Sequence, residues 1–285
     1  MIAEARRVDK ASPWYVSAFW SDALTYLNYI RELSDKQLAF IRIHTSLITG
    51  HFTLQHIHDP RRLTWDDEQT REGVPLVAAY KALVEDVPES HWCDEPALHQ
   101  TIENIGFRWR GKLLTDDLLR YQRALTNLYN LGLVAPKPRR LLIFEIGGGY
   151  GALAHQVHRV VAAPGVAYII VDLPEMLFWS AVYLRVNNPG KRLYVFDRQT
   201  FSPAQLPDIL ANHDFVLLPP YLLAELPTFP DIDLAINMLS FQEMREDQIR
   251  VYCDFLARHL NGWFLSENFA RHKFNTELGR DLYDI

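Results

Sequence analysis

From residue 141 onward, short apolar runs alternate with longer stretches whose apolar positions recur every three or four residues. The runs read as strands at 141–146, 167–172, 192–197, 233–238 and 262–267, and the periodic stretches as helices at 150–162, 174–187, 203–211 and 244–260. Such alternation predicts parallel pairing through right-handed crossovers. The expected fold class is therefore α/β, a doubly wound and mostly parallel sheet.

Upstream the period is helical throughout. Ser12-Pro13 is a helix start, followed by Val16, Phe19, Trp20, Ala23, Leu27 and Ile30 at helical spacing. Ser34 and Gln37 form a capping-box pair ahead of Leu38, Ile41, Thr45 and Ile48, with Gly50 as the stop. Residues 75–86 and 115–132 carry two more helical patterns, the second with acids in its first turn and Gly132 at its end. "VAPKPRR" (134–140) is a proline-broken basic connector. It divides a helical substrate or oligomerisation region, 1–136, from a sheet domain, 137–285.

The chemistry concentrates where strands are predicted to end. "LLIFEIGGGYGALAHQV" (141–157) runs from a strand through Glu145 into glycines 147, 148, 149 and 151, then into a helix. A strand that breaks into a glycine loop and opens a helix is a nucleotide-type cradle. Read as G-x-G-x-x-A (Gly147, Gly149, Ala152) it suits a dinucleotide pyrophosphate; read as E-x-G-x-G-x-G it suits S-adenosylmethionine. Asp172 closes the second strand in "YIIVDLPEM", where a carboxylate can accept both ribose hydroxyls or cap the next helix. Asp197 ends "LYVFDRQ", Asn237, Ser240 and Glu243 follow the fourth strand, and Glu267, Asn268 and His272 follow the fifth. Doubly wound sheets bind their ligands at these carboxyl ends.

Composition narrows the partners. With 48% hydrophobic residues, 22% charged and a net charge of −6, the chain is an ordinary globular one and no general binder of nucleic acid or anionic membrane. Cys93 and Cys253 form no CxxC pair, and no signal peptide or spanning apolar run is visible. The reading is a soluble, cytoplasmic protein acting on a small molecule, with homo-oligomerisation open. His51, His56, His58 and Asp59 lack a second matching ligand cluster, so no metal is expected there. No Ser-His-Asp, Cys-His or P-loop signature occurs.

"FEIGGGYGALA", "YIIVDLPEML", "DLAINMLSFQEM" and "GWFLSEN", in that order and spacing, resemble the sugar O-methyltransferases of the class I, S-adenosylmethionine-dependent fold. The upstream "TIENIGFRWRGKLLTDDLLRYQRAL" resembles the same family, and the similarity covers most of residues 100–270. The resemblance implies a Rossmann-like methyltransferase domain with S-adenosylmethionine as cofactor and a sugar or glycan-type acceptor. It assigns Glu145, Gly147, Gly149 and Gly151, with Tyr150 beside them, to the cofactor's methionine and ribose. It gives the ribose hydroxyls to Asp172, next to Leu173, and the adenine side to Asp197. Asn237 and Met238 would line the methyl-transfer cleft, and Arg120 would reach the cofactor carboxylate. Against the family pattern, the sequence ends at "GRDLYDI" without the usual antiparallel hairpin, so the expectation is either a truncated chain or a sheet edge closed by a partner or the N-terminal region.

Methyl transfer to a hydroxyl needs alignment of acceptor, methyl and sulfur, and gains from a general base. Glu243 is the expected base and His272 the second candidate. Two alternatives stand: an NAD-dependent oxidoreductase, which Gly147, Gly149, Ala152 and Asp172 also satisfy, and a methyltransferase-like binding domain without catalysis.

Overall fold

A computed structural model describes residues 7–39, 41–45, 48, 73–96, 107–271 and 275–285. The chain forms two compact units: residues 1–32, 139–151 and 166–285 make one, and residues 33–138 with 152–165 the other.

The first unit is built on six parallel strands: β3 (Leu141–Ile146), β4 (Val166–Val171), β5 (Leu193–Val195), β6 (Phe215–Leu218), β7 (Ile232–Met238) and β8 (Leu260–Glu267). Their order in space is β5-β6-β4-β3-β7-β8, a doubly wound, Rossmann-like sheet whose order reverses between β3 and β7. Every residue of β3, β4 and β6 is buried. Burial on both faces is why these strands read as continuous apolar runs and not as alternating ones. Phe144 of β3 stacks on Phe255 at 5.3 Å and meets Phe229 edge-on, at the heart of a core that also takes in Leu278 and Leu282 near the C-terminus.

The predicted strands are all present, with ends shifted by a residue or two. The four-residue β6 is an addition: "FVLL" is short and runs directly into Pro219-Pro220, so no period marks it. Its insertion has a consequence. β5 pairs with β6 and not with β4, so the strand before Asp197 is the outermost of the sheet. At the other margin β8 is paired on one side only among the described residues, with Trp263 (52%) and Phe264 (40%) exposed.

Flanking this sheet are α5 (Pro174–Asn187), α6 (Leu206–Asn212) and α7 (Glu246–His259), and they begin where local chemistry directs. α5 has proline at its first position, where a missing N–H costs nothing. α7 has acids in its first turn and Arg258 and His259 in its last, matching the helix dipole. At the N-terminus α1 (Ala18–Leu27) starts later than Ser12-Pro13 and runs into a 3₁₀ turn, Asn28–Glu32.

The second unit holds the one-turn helices Asp35–Leu38 and Ile41–His44, then α2 (Gly73–Val84), the hairpin β1 (Phe107–Trp109) with β2 (Lys112–Leu114), α3 (Asp116–Asn130) and α4 (Ala152–Val160). The Ser34 backbone N–H donates to Gln37 Oε1 (2.9 Å), as the capping box predicts. The helix expected over 34–48 is broken after Leu38, and Gly50 lies outside the described residues. Thr115 caps α3 by accepting from Leu118 N, and Gly132 follows its end at φ +67°.

Candidate functional site

β3 delivers Glu145 to the carboxyl edge of the sheet beneath the glycine loop, where it is 4% exposed. Tyr168 of β4 donates its hydroxyl to Glu145 Oε2 at 3.0 Å. Burial pushes the Glu145 carboxyl up to about 8; the Tyr168 hydrogen bond opposes this and nearby Asp172 adds to it. Tyr168, itself fully buried, is held well above the ordinary phenol value and remains a donor.

The loop above Glu145 admits little but glycine. Gly147 sits at φ +74°, and a Cβ there would meet Ser240 Oγ at 2.2 Å. A Cβ on Gly148 would lie 2.7 Å from Ile170 Cγ2 and 2.9 Å from Glu145 Oε2. The glycines thus let the loop settle directly onto the acid and onto the turn after β7. Gly149 N donates to Asp172 Oδ2 (2.8 Å), and Leu173 N to Asp172 Oδ1 (2.7 Å). Ser180 of α5 donates to Gly149 O at 2.7 Å. The Asp172 carboxyl is pushed up to about 7, chiefly by burial, against the pull of these two N–H groups. Two acids therefore flank the loop, and neither has a basic ion-pair partner among the described residues. The Gly148 N–H is likewise unpaired among the described residues.

Across the order reversal, β7 carries Asn237 near its end, fully buried. Its Nδ2 donates to Ile146 O (3.0 Å) and to Ser240 Oγ, and its Oδ1 accepts from Phe241 N (3.2 Å) and Asn268 Nδ2 (2.9 Å). Asn237 so ties the ends of β3, β7 and β8 together. Leu239 beyond it adopts φ +59°, a left-handed backbone unusual for a side chain bearing a Cβ, and this aims the following turn. That 3₁₀ turn, Phe241–Glu243, presents Glu243, whose Oε2 accepts from Trp20 Nε1 at 3.0 Å.

The structure brings together Glu145, Gly147, Gly149, Asp172, Leu173 and Asn237. It sets Met238 at the end of β7 and Glu243 on the turn that follows. Gly151, at φ +85°, opens the helix with its missing Cβ against Leu184. Tyr150 is 1% exposed and packs edge-on against Tyr183 at 4.9 Å, so its ring belongs to the packing of the loop. Asp197 is exposed and accepts from Gln199 N and Thr200 Oγ1 in its own turn, past a strand that lies two positions out from β4. Arg120 lies on α3, in the second unit. His272, and the histidines and Asp59 of 51–59, lie outside the described residues. Among the described residues no group of three or more His, Cys, Asp or Glu is arranged to hold a metal. Tyr168, Ser180 and Trp20 carry no sequence signal of a site role: Tyr168 reads as strand, and Trp20 and Ser180 as helix-face residues.

No protein-family model matches the chain, and no curated protein does. Several solved structures do. One is phosphoethanolamine N-methyltransferase 2 of Haemonchus contortus in complex with S-adenosyl-L-methionine, at 14% identity over 74% of this chain and 34% of that one, with a TM-score of 0.30. Another is an O-methyltransferase family protein from Burkholderia thailandensis, at 12% identity over 71% and 55%, TM-score 0.32. A third is coclaurine N-methyltransferase bound to N-methylheliamine and SAH, at 13% over 85% and 67%, TM-score 0.32. The chain spans about a third of the first structure and about half of the second. The fold stands on its own strand order. It is an open parallel sheet with a glycine loop at the carboxyl edge and two acids beside that loop which have no basic partner among the described residues.

Proposed function

We propose that the sheet unit binds S-adenosylmethionine and transfers its methyl group to a hydroxyl of a sugar or sugar-containing small molecule. The observation that carries this reading is the pair of acids, Glu145 and Asp172, set against the glycine loop with no cationic partner among the described residues. Buried carboxyls without a counter-charge suit a positively charged ligand and oppose a pyrophosphate. S-Adenosylmethionine brings an ammonium, a ribose and a sulfonium whose methyl is already activated for displacement. Glu145 and the Gly148 N–H are the groups to hold its methionine end, and Asp172 keeps acceptor lone pairs for the ribose hydroxyls. Met238 borders the cleft and Asn237 holds the strand ends beneath it, with Leu173 and Tyr150 as packing support. Asp197 takes the adenine side and Arg120 the cofactor carboxylate. Glu243 takes the proton from the acceptor hydroxyl as general base, with His272 as the second candidate. The sugar acceptor is supported by the motif resemblance, and the partner of the reading is a small molecule.

The test is calorimetric titration of the full chain at pH 7 with S-adenosylmethionine, S-adenosylhomocysteine and NAD, in two buffers of different ionisation heat. A cationic ligand lowers the carboxyl pKa values, so S-adenosylmethionine should bind with net proton release. Binding of NAD alone, or proton uptake, would overturn the reading. Methyl release over a panel of sugars then tests the acceptor class.

A further inference from the structure

Glu243 sits on a turn held from both sides. Phe241 N donates to Asn237 Oδ1, and Phe269 N to Gln242 Oε1 at 2.7 Å. Asn275 Nδ2 reaches Gln242 O and Met244 O, each at 2.9 Å. The turn fixes where the Glu243 Cα lies, but the carboxylate is three bonds further out and its orientation is set by what meets it there. One group that does so comes from the other end of the sequence.

The segment from Ser12 to Ile30 is anchored to two of the helices that flank the sheet. Arg245 Nη2 donates to Ser12 O (2.8 Å) and Gln248 Nε2 to Tyr15 O (3.0 Å), while Trp14 meets Tyr252 of α7 edge-on at 5.6 Å. Ala18 N donates to Glu277 Oε2. Further on, Tyr29 packs edge-on against Trp179 of α5, and Leu27 and Ile30 are buried. The segment thus starts beside α7, which follows β7, and finishes beside α5, which follows β4. Trp20 stands between these anchors, with its indole N–H 3.0 Å from Glu243 Oε2 and its ring edge-on to Phe19.

Resting on the reading of Glu243 as base, we infer that Trp20 is its positioning residue. An indole offers one N–H donor in the plane of a rigid ring and has no charge. It fixes one carboxylate oxygen and the plane of the group without itself bringing a charge. A lysine or arginine in its place would form an ion pair and lower the carboxylate's affinity for a proton. The donor is part of the ring itself, so the direction of the N–H does not depend on a flexible stem.

The experiment uses the full chain, labelled with nitrogen-15, and follows the indole N–H resonances of its seven tryptophans with pH. The Trp20 resonance is identified by its loss in Trp20→Phe. It should titrate with a single carboxyl transition that disappears in Glu243→Gln. A Trp20 resonance that does not titrate, or titrates identically in Glu243→Gln, overturns the inference, and this arm needs no acceptor. For turnover, the probe is S-adenosylmethionine with whichever sugar of the panel accepts methyl. Trp20→Phe should lower kcat about tenfold, the effect of a lost hydrogen bond to a charged group. The acceptor KM and S-adenosylhomocysteine binding should stay within about twofold, and the loss should vanish in the Glu243→Gln background. Unchanged kcat, or a loss that adds fully to that of Glu243→Gln, overturns positioning. Failure of wild type to bind S-adenosylmethionine, with the Trp20 titration intact, instead overturns the methyl-transfer reading and shows the contact to serve another purpose.

Discussion

Among single residues, Glu145 is the informative one. A carboxyl sunk under a loop, with no cationic partner among the described residues, is unfavourable when ionised, and burial pushes it up to about 8. The sign follows directly. The folded state binds the proton more tightly than the unfolded chain, so the contribution to stability is present at acid pH. It is lost as pH rises from the ordinary value near 4.5 through about 8. Asp172, raised to about 7, adds a slope of the same sign. We expect urea melts of the ligand-free protein to show stability falling between about pH 5 and about pH 8.5, and Glu145→Gln to flatten that slope. At the alkaline end the variant should be more stable than wild type by about 4 kcal/mol. Equal slopes in the two proteins would show that Glu145 ionises freely. That an acid stands before the loop is legible in the sequence. Its burial is not, because Tyr168 and Ile170 that enclose it come from another strand.

Between elements, local patterns explain starts and stops but not what locks one to the next. Thr115 before Asp116-Asp117 announces α3, and the structure shows that cap. The lock in the same unit is different. Arg42 sends Nη2 to Glu95 Oε1 at 2.6 Å and to Asp117 Oδ2 at 3.2 Å, and Nη1 to Thr45 Oγ1 at 2.6 Å; the three charged side chains are at most 4% exposed. Thr115 Oγ1 donates to Glu95 as well. Removing the guanidinium leaves two buried acids without this counter-charge, so Arg42→Met should cost about 3–5 kcal/mol. Chemical denaturation of the variant measures this, and a loss below about 1 kcal/mol would mean that the acids find other partners. The glycine loop makes a second case of elements locked together. Gly147→Ala forces a methyl onto Ser240 Oγ at a positive φ, and a loss of about 2–4 kcal/mol is expected in the same assay. A variant as stable as wild type would show that the turn after β7 gives way freely.

For the molecule as a whole, a ligand that binds only the folded chain must raise its melting temperature. S-Adenosylhomocysteine at about a hundredfold excess over its Kd should add about 2.7 kcal/mol, read as a thermal shift that NAD at the same concentration does not produce. A shift with NAD alone would point to the dinucleotide reading of the glycine loop. No helix of the described residues is long and apolar enough to cross a membrane. The alternation of strand and helix, the glycine loop, and the acids and amides at strand ends all follow from the sequence with no structure in hand. They are written in local periods and in residue types that few backbone conformations tolerate. Strand order is a matter of three-dimensional packing, and with it the place of Asp197, because a four-residue strand slips between β4 and β5. So is the meeting of Trp20 and Glu243, 223 residues apart. Such pairings depend on where the chain returns after long crossovers, and no short-range pattern encodes that.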